Sequence, residues 1–374
     1  MAIGVPKRRE GGAAAIVYQL SERYRAWGHE VDCLFLEDFG PYDNVPPRFI
    51  DAAYAWRLSS YIRKHPQKYS VLNLHAPWGF VHSLRRRFPG DPKTPPYVLT
   101  LQGSEERTVQ VMRGEAAKGR APYFRWKNRQ WHRVYHTQMY HQAFRGVDYA
   151  IVANREAATA LQLLHGLESH QVWFVPNGVD ESFFLPRGNT WLCSRILFVG
   201  SWLDRKGIHY LRDAFVRLAS QHADMRLTIA GCMVPEVDVR RWFPDPLQGR
   251  IDVRPEVPVA DMPRIYAEND LFLFPSLAEG MPLSLLEAMA SGMPVVTTDT
   301  CGMSDVIEDG YNGLLAKPAD ADALVQAVER LAADPALRCR LGTSACDTAR
   351  RYTWDLIGRK YLAVLERAVR NGRA

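Results

Sequence analysis

Short apolar runs recur along the chain, with segments long enough for a helix between them. Five of these runs precede Pro176 and five follow it: 31–36, 71–74, 97–101, 150–153 and 172–175, then 196–199, 226–230, 251–253, 271–274 and 295–298. Runs of this length, bounded by polar or turn residues, predict strands that are buried on both faces of a sheet. Strands that alternate with helical segments such as 14–27 predict parallel sheets. We therefore expect an α/β protein with two doubly wound domains.

The segment that follows the predicted strand 271–274 is the most informative part of the chain. Glu279 and Gly280 fall in a loop, and Pro282 suits the first position of a helix over 283–291. The start of this helix lies at the carboxyl end of the sheet, where N–H groups and the helix dipole favour a phosphate or diphosphate. The residues predicted to line that group are Gly280, Met281, Pro282 and Leu283.

Two glutamates in this segment are predicted to bind different parts of one ligand. Glu279 lies in the loop, where its carboxylate can accept hydrogen bonds from sugar hydroxyls. Glu287 lies about one turn into the helix, where it can accept hydrogen bonds from ribose hydroxyls. One site would then hold a sugar, a diphosphate and a ribose. The alternative is that Glu287 only interacts with the helix dipole and that Glu279 is a solvated loop residue.

Residues 279–296 resemble the two-glutamate signature of the retaining glycosyltransferases of family 4. Residues 196–208 resemble the first strand and turn of that family's C-terminal domain, in which a basic pair binds the donor phosphates. The resemblance implies that Arg205 and Lys206 neutralise the charge that builds on the leaving nucleoside diphosphate. The alternative for this pair is a solvated basic turn.

Other segments resemble the family in the same order along the chain. The turns at 175–180 and 308–315 resemble structural turns in which Asn and Gly take positive φ. Gly11 and Gly12 resemble an N-terminal glycine loop whose N–H groups face the donor phosphates. The resemblance implies the GT-B architecture, with two Rossmann-like doubly wound domains facing a central cleft. The expected parts are an acceptor-binding domain at 1–180, a nucleotide-sugar-binding domain at 190–350, and a helix at 351–374 that crosses back to the first domain.

Departures from the family pattern bear on the mechanism. Gln102 follows the strand 97–101 where members commonly carry a histidine. An amide can bond to a sugar hydroxyl but cannot transfer protons near neutral pH. Front-face substitution, in which the leaving phosphate takes the acceptor proton, needs no histidine there. Ser201 stands where many members have an arginine. His75 ends the strand 71–74 and could face the acceptor, with a structural role as the alternative.

The N-terminus departs from the family pattern as well. Only residues 1–5 and the basic turn 7–9 precede Gly11, whereas family members open with a buried strand before the glycine loop. That strand is central in a doubly wound sheet, so its absence would leave backbone groups of its neighbours unpaired. We therefore expect the first strand of the N-terminal domain to be missing. Either the natural chain starts upstream of Met1, or this domain is less stable than its partner.

Composition fits a globular protein of two domains. The chain has 374 residues, of which 47% are hydrophobic and 24% are charged. No apolar run approaches the roughly 20 residues that span a bilayer, and the N-terminus lacks the apolar region of a signal peptide. These features predict a cytoplasmic location. The six cysteines have no metal-ligand spacing, which predicts free, buried thiols and no metal site.

Positive charge is concentrated in the first half of the chain. The net charge is +6, and the segment 107–145 carries nine basic residues and a single acidic one, Glu115. Aromatic residues are interleaved with them, among them Tyr123, Phe124, Trp126, Trp131, Tyr135 and Tyr140. Such a segment of the N-terminal domain could seat on an anionic membrane surface. It could instead bind nucleic acid, which we do not expect, or be a solvated helix pair with an aromatic core face.

The sequence therefore predicts a retaining glycosyltransferase that moves a hexose from a nucleoside diphosphate sugar to a saccharide or lipid-linked acceptor, as in polysaccharide or glycolipid biosynthesis. No cofactor is expected, because the nucleotide sugar is a substrate. Peripheral association with the inner face of a membrane is the expected location of such an enzyme. The alternatives are a non-catalytic nucleotide-sugar-binding or assembly subunit, and an epimerase or hydrolase of the same architecture.

Overall fold

The computed structural model of the protein describes residues 1–7, 12–88, 94–121, 137–185 and 193–372. The chain divides into two compact units. The first unit comprises Met1–Glu106, Pro122–Asn177 and Trp354–Ala374, and the second comprises Arg107–Ala121 and Gly178–Thr353. The final segment of the chain therefore belongs to the first unit.

The first unit is built on a four-stranded parallel sheet in the order β1-β2-β3-β4. The strands are β1 (Leu72–His75), β2 (Tyr97–Leu101), β3 (Tyr149–Val152) and β4 (Val172–Phe174). Among the described residues before 177 the helices are α1 (Gly12–Ala26), α2 (Ile50–Lys64), α3 (Phe80–Arg85), α4 (Glu105–Ala117), α5 (Thr137–Phe144) and α6 (Arg155–His165). The first three strands are buried along their whole length, as their continuous apolar sequence predicts.

Residues 1–5 extend this sheet, so the prediction that its first strand is missing is wrong. Ala2 forms parallel bridges with Leu34 on one side and with Leu74 in β1 on the other. Its N–H donates to the carbonyl of Asn73 at 2.9 Å, and its carbonyl accepts from the N–H of His75 at 3.0 Å. This short segment therefore supplies the backbone partners that a central strand would give to its neighbours.

The side chains of this segment alternate between two cores, as extended backbone requires. Ala2 packs with Leu74 and the buried face of α2, which includes Leu58. Its neighbour Ile3 packs in a second cluster with Val17 of α1. The sheet of the first unit is therefore covered on both faces.

The second unit is built on a six-stranded parallel sheet in the order β10-β9-β8-β5-β6-β7. Its strands are β5 (Arg195–Val199), β6 (Arg226–Ala230), β7 (Ile251–Arg254), β8 (Leu271–Phe274), β9 (Val295–Thr298) and β10 (Leu314–Ala316). The helices are α7 (Ile208–Gln221), α8 (Glu236–Arg240), α9 (Asp245–Gln248), α10 (Met262–Ala267), α11 (Leu283–Ala290), α12 (Cys301–Val306), α13 (Ala321–Ala333) and α14 (Pro335–Ala349). Nine strands lie close to the predicted positions, and β10 was not predicted.

The last helix, α15 (Trp354–Gly372), packs against α1 in the first unit. A Cβ at Gly358 would lie 3.0 Å from the ring of Trp27, so this position of α15 needs a small residue. No described helix combines the length and the apolar composition that crossing a bilayer requires. All six cysteines are free, and Cys339 on α14 is exposed, so the prediction of buried thiols is wrong at that position.

Candidate functional site

The sheet of the second unit has one point at which the order of its strands reverses. From β5 the chain proceeds outward to β6 and β7, and from β8 it proceeds outward in the other direction to β9 and β10. The loops that leave the carboxyl ends of β5 and β8 therefore diverge, and a crevice forms between them. Arg205 and Lys206 follow β5, while Glu279 and Gly280 follow β8. The fold thus brings together residues that the sequence places more than 70 positions apart.

The carboxylate of Glu279 is the centre of this group. Its Oε1 accepts hydrogen bonds from Arg205 Nη1 at 2.9 Å, from Lys206 Nζ at 2.7 Å and from Ser276 Oγ at 2.8 Å. The side chains of Glu279 and Lys206 are 9% and 12% exposed, and that of Arg205 is 31% exposed. We call Arg205, Lys206 and Glu279 the charged cluster.

Burial and charge act in opposite directions on the ionisation of the charged cluster. Burial alone would raise the pKa of Glu279, but the cations of Lys206 and Arg205 outweigh it, and the pKa is lowered. Burial lowers the pKa of Lys206, and the carboxylate of Glu279 offsets part of that effect. The ionised carboxylate and its cations are thus held in one place before any ligand arrives.

Close backbone packing sets the positions of the two loops. Gly207 has φ +73°, and a Cβ there would lie 1.9 Å from the carbonyl oxygen of Pro275, so only glycine fits. The N–H of Leu277 donates to the carbonyl of Arg205 at 2.8 Å, which ties the loop after β8 to the loop after β5. These contacts fix the direction from which the side chains of the charged cluster enter the crevice.

The loop after β8 also packs against the start of α12. A Cβ at Gly302 would lie 1.7 Å from the carbonyl oxygen of Gly280. Met281 and Pro282 are buried, and Pro282 is the N-cap of α11. The prediction that Pro282 takes the first helical position is wrong by one residue, since Leu283 begins the helix. The first N–H groups of α11, which have no partner within the helix, lie just after this loop.

Glu287 lies in α11, and its hydrogen bond is to a residue outside the charged cluster. The hydroxyl of Tyr266, from α10, donates to Glu287 Oε2 at 2.7 Å. Burial raises the pKa of Glu287 to about 7, against the effect of the Tyr266 hydrogen bond, and the charge of Asp180 raises it further. Glu287 is therefore a carboxyl group that changes its protonation near neutral pH.

Three predicted site residues lie in the first unit. His75 ends β1, and 1% of its surface is exposed. Its ring nitrogens have no hydrogen-bond partner among the described residues. Burial lowers the pKa of His75 to about 3, so its imidazole is neutral. Gln102 follows β2 and interacts with Tyr361 of α15. Gly12 begins α1 with φ +64° and has open space around its Cα, while Gly11 lies outside the described residues.

The basic and aromatic segment 107–145 is only partly described. Five of the six aromatic residues named for it lie outside the described residues: Tyr123, Phe124, Trp126, Trp131 and Tyr135. The part 107–121 belongs to the second unit, so its expected place in the N-terminal domain is wrong. Arg107 donates to Thr300 Oγ1 at 2.9 Å, beside the start of α12.

The single acidic residue of that segment, Glu115, attaches α4 to α7. Only 2% of Glu115 is exposed, and the Tyr210 hydroxyl donates to its Oε1 at 2.7 Å. Lys118 Nζ donates to the same oxygen at 2.9 Å, and the Arg120 guanidinium lies 4.8 Å from the centre of the Tyr210 ring. This end of α4 is therefore held by a buried hydrogen-bonded network.

Sequence reasoning missed three residues of the second unit that act on the predicted site. Ser276 and Tyr266 donate to Glu279 and Glu287, and Asp180 acts on Glu287 by charge. Asp180 lies in the turn 175–180, which was interpreted as structural only. Within the described residues, no three His, Cys, Asp or Glu side chains are grouped so that they could hold a metal ion. The prediction that the reaction needs no metal stays a prediction.

Comparison with known proteins agrees with this geometry. Residues 10–183 match the family model described as "Glycosyltransferase Family 4", and residues 193–334 match "Glycosyl transferases group 1". A Campylobacter jejuni N,N'-diacetylbacillosaminyl-diphospho-undecaprenol alpha-1,3-N-acetylgalactosaminyltransferase is 34% identical over 30% of this chain and 30% of its own length. A Mycolicibacterium hassiacum MMP alpha-(1->4)-mannosyltransferase is 26% identical over 73% of this chain and 66% of its own length. The chain thus spans less than two thirds of the length of these curated relatives.

Solved structures resemble the whole chain. Sucrose-phosphate synthase from Thermosynechococcus elongatus has a TM-score of 0.76 at 20% identity, covering 98% of this chain and 95% of that one. Anabaena HepE in complex with UDP and glucose has a TM-score of 0.67 at 17% identity, covering 98% of both chains. At such identities the likeness shows the fold alone, which is the GT-B fold of these structures.

Proposed function

We propose that this chain, which belongs to the group 1 glycosyltransferases of family 4, transfers a hexose from a nucleoside diphosphate sugar to a saccharide or lipid-linked acceptor with retention of configuration. One observation carries the proposal: the charged cluster lies at the carboxyl ends of β5 and β8, where the strand order of a doubly wound sheet reverses. Two cations and one carboxylate at that point match the diphosphate and the hydroxyl groups of a nucleotide sugar.

Binding of the donor would exchange the partners within the charged cluster. The diphosphate is a stronger partner for Lys206 and Arg205 than one carboxylate, because it offers several charged oxygens. Glu279 would then accept hydrogen bonds from the hydroxyls of the transferred sugar. The two cations would neutralise the charge that develops on the departing diphosphate. The backbone from Gly280 to Leu283 would add N–H groups to the phosphates.

The ribose would bind at Glu287. An ionised carboxylate accepts hydrogen bonds from two neighbouring hydroxyls at once. Tyr266 would orient this carboxylate through its bond to Oε2. The purine or pyrimidine base and the identity of the hexose depend on parts of the site beyond these residues.

A front-face substitution would account for retention without a protein base. The bond from the anomeric carbon to the phosphate oxygen breaks, and the acceptor oxygen bonds to the same face of that carbon. The acceptor proton passes to the departing phosphate oxygen. This step places no demand on Gln102, whose amide has no pKa near neutrality. His75 and the amide atoms of Gln102 are buried, so neither residue is assigned a contact with the acceptor.

Within the proposal we prefer a lipid-linked acceptor, and one relative supports this choice. The Campylobacter protein carries diphospho-undecaprenol, a lipid carrier, in its name. An enzyme with such an acceptor would work at a membrane surface, and peripheral association at the inner face is part of the proposal. The segment 107–145 would contribute basic residues to that association.

A transfer assay with a panel of UDP, GDP and ADP hexoses tests the proposal. Wild-type protein should release nucleoside diphosphate when acceptor is present, and NMR should show the same anomeric configuration in donor and product. Glu279→Gln should lower turnover about 100-fold or more, because the carboxylate acts on the reacting sugar, and should keep nucleotide binding. The matched control is Glu236→Gln on α8, whose side chain is 50% exposed and which should keep wild-type turnover.

Each other outcome of this assay contradicts the proposal in a distinct way. Nucleotide binding without transfer would favour a binding or assembly subunit. Product formation without an acceptor would favour an epimerase or hydrolase. An inverted product would refute retention, and wild-type turnover in Glu279→Gln would refute the role of the charged cluster.

A further inference from the structure

Exposed aromatic side chains lie on α2 and at its start. Trp56 and Arg63 are seven residues apart on α2, so they lie within about 20° of one line along the helix, and Phe49 precedes the helix as its N-cap. Phe49 is 38% exposed and Trp56 is 57% exposed. The opposite side of α2 is buried in the core of the first unit, as Leu58 and Tyr54 show. The helix therefore turns one apolar face inward and a second, aromatic one to solvent.

The end of α3 extends this exposed surface. Leu84 is 39% exposed, and Phe88, four residues later, is 62% exposed. Arg85 joins the two elements, because its Nη1 donates to Ser59 Oγ and Ser60 Oγ at 3.1 Å each. We define the α2–α3 face as the surface that carries Phe49, Trp56, Arg63, Lys64, Leu84, Arg85, Arg87 and Phe88.

Positive charge surrounds these exposed rings. Residues 44–64 and 80–88 contain seven basic side chains: Arg48, Arg57, Arg63, Lys64, Arg85, Arg86 and Arg87. Asp51 is the acidic residue in these ranges, and its Oδ1 accepts a hydrogen bond from Trp78 Nε1 at 2.8 Å. The Arg48 guanidinium lies 5.3 Å from the centre of the Phe49 ring, and that of Arg85 lies 6.0 Å from the centre of the Trp56 ring. The exposed rings of Phe49 and Trp56 are thus each accompanied by a cation.

We propose that the α2–α3 face is the surface by which the protein docks onto an anionic lipid bilayer. Aromatic and aliphatic tips on a helix ridge can insert among lipid headgroups while the flanking cations remain at the charged surface. Arg86 is paired with Asp148 at 2.7 Å, so anionic lipids complement chiefly the exposed Arg63, Lys64 and Arg87. Each Lys or Arg near such a surface strengthens binding about fivefold.

This docking proposal rests on the proposed function, because an enzyme with a lipid-linked acceptor must reach that acceptor at a bilayer. The proposed surface also differs from the segment 107–145, whose described part holds Glu115 in a buried network. The α2–α3 face consists of described residues, and their exposure and charge support the docking proposal. Its test does not depend on turnover.

The experiment measures sedimentation of the full chain with vesicles of phosphatidylcholine, alone and with about one third phosphatidylglycerol. The protein should bind the anionic vesicles and not the neutral ones, and binding should weaken as salt is raised. Trp56→Ser with Phe88→Ser should weaken binding about tenfold or more. The control pair is Leu163→Ser with Leu164→Ser on α6, residues that are 78% and 57% exposed and should keep wild-type binding.

A second set of variants separates local charge from net charge. The triple change Arg63→Glu, Lys64→Glu and Arg87→Glu should abolish binding to anionic vesicles. Its control reverses three exposed basic residues elsewhere, Arg241, Arg264 and Lys360, and should retain most of the binding. Melting temperature and nucleotide binding are measured for every variant, so that unfolding is not mistaken for lost docking.

Several results would overturn the docking proposal. One is equal binding to neutral and anionic vesicles, and another is equal loss in the two charge-reversal sets. Unchanged binding in the Trp56 and Phe88 variant would also overturn it, as would binding to RNA or to an acidic protein in place of vesicles. Vesicle binding without nucleotide binding would support the docking surface while refuting the transferase proposal, so the two can fail separately.

Discussion

Donor binding should depend on pH near neutrality because of Glu287. Burial raises the pKa of this carboxyl to about 7, although the Tyr266 hydroxyl donates a hydrogen bond at 2.7 Å that lowers it. Only the ionised carboxylate can accept hydrogen bonds from two ribose hydroxyls through both oxygens. About half of the free protein is therefore in the form that binds ribose best at pH near 7.

The size of the effect follows from one titrating group. If the donor binds only the ionised form, its dissociation constant rises about tenfold between about pH 8 and about pH 6, which corresponds to about 1.4 kcal/mol. Glu279 does not contribute over this range. Burial would raise its pKa, but Lys206 and Arg205 outweigh burial and lower it, so its carboxylate stays ionised.

The assay is calorimetric titration with the nucleotide sugar at several pH values. The sugar-linked diphosphate is preferred to the free nucleotide, whose terminal phosphate titrates near pH 6 and would add its own pH dependence. Glu287→Gln should bind more weakly and show no inflection near pH 7. Tyr266→Phe removes a bond that lowers the pKa of Glu287, so the inflection should move to higher pH. A wild-type pH profile in Glu287→Gln would refute the reasoning.

Two further predictions concern stability. Gly207→Ala should lower the free energy of unfolding by about 2 kcal/mol or more, since its Cβ would lie 1.9 Å from the Pro275 carbonyl at a positive φ. Gly249→Ala, with open space around it, should melt like wild type, and equal melting of both variants would contradict the packing argument. Burial lowers the pKa of both His75 and His82 to about 3, so the unfolded state binds more protons below about pH 6.5, and each histidine should remove about 1.4 kcal/mol of stability per pH unit. Urea midpoints at pH 7 and pH 5 measure this loss, and an unchanged pH dependence in His82→Phe would count against it.

The positions of most strands could be predicted because their apolar runs are continuous. Leu271–Phe274 is buried at every position, and its sequence alone indicates a strand covered on both faces. The predicted strand 31–36 was too long, because only Leu34 pairs and a 3-10 helix begins at Leu36. Residues 1–5 were judged too short for a strand, yet neighbours on both sides supply their hydrogen bonds. The sequence of so short a segment does not show which strands will pair with it.

The site was predictable where a local motif specifies it and not where distant residues act on it. Glu279 and Glu287 follow from the loop and helix that carry them. Their partners Ser276 and Tyr266 do not, since serine and tyrosine occur in many structural roles. The sequence did not predict the buried hydrogen bond of Glu115, because its partner Tyr210 on α7 lies 95 residues away. Contacts of this range depend on the packing of whole helices.

Thermal melting with UDP, GDP and ADP tests whether the charged cluster binds a nucleoside diphosphate. At about 100 times its dissociation constant, a nucleotide adds about 2.7 kcal/mol of stability, which should raise the melting temperature by several degrees. We expect such a shift with at least one nucleotide, its loss in Lys206→Met and its persistence in the exposed control Arg241→Met. No shift with any nucleotide, or a full shift in Lys206→Met, would contradict this expectation.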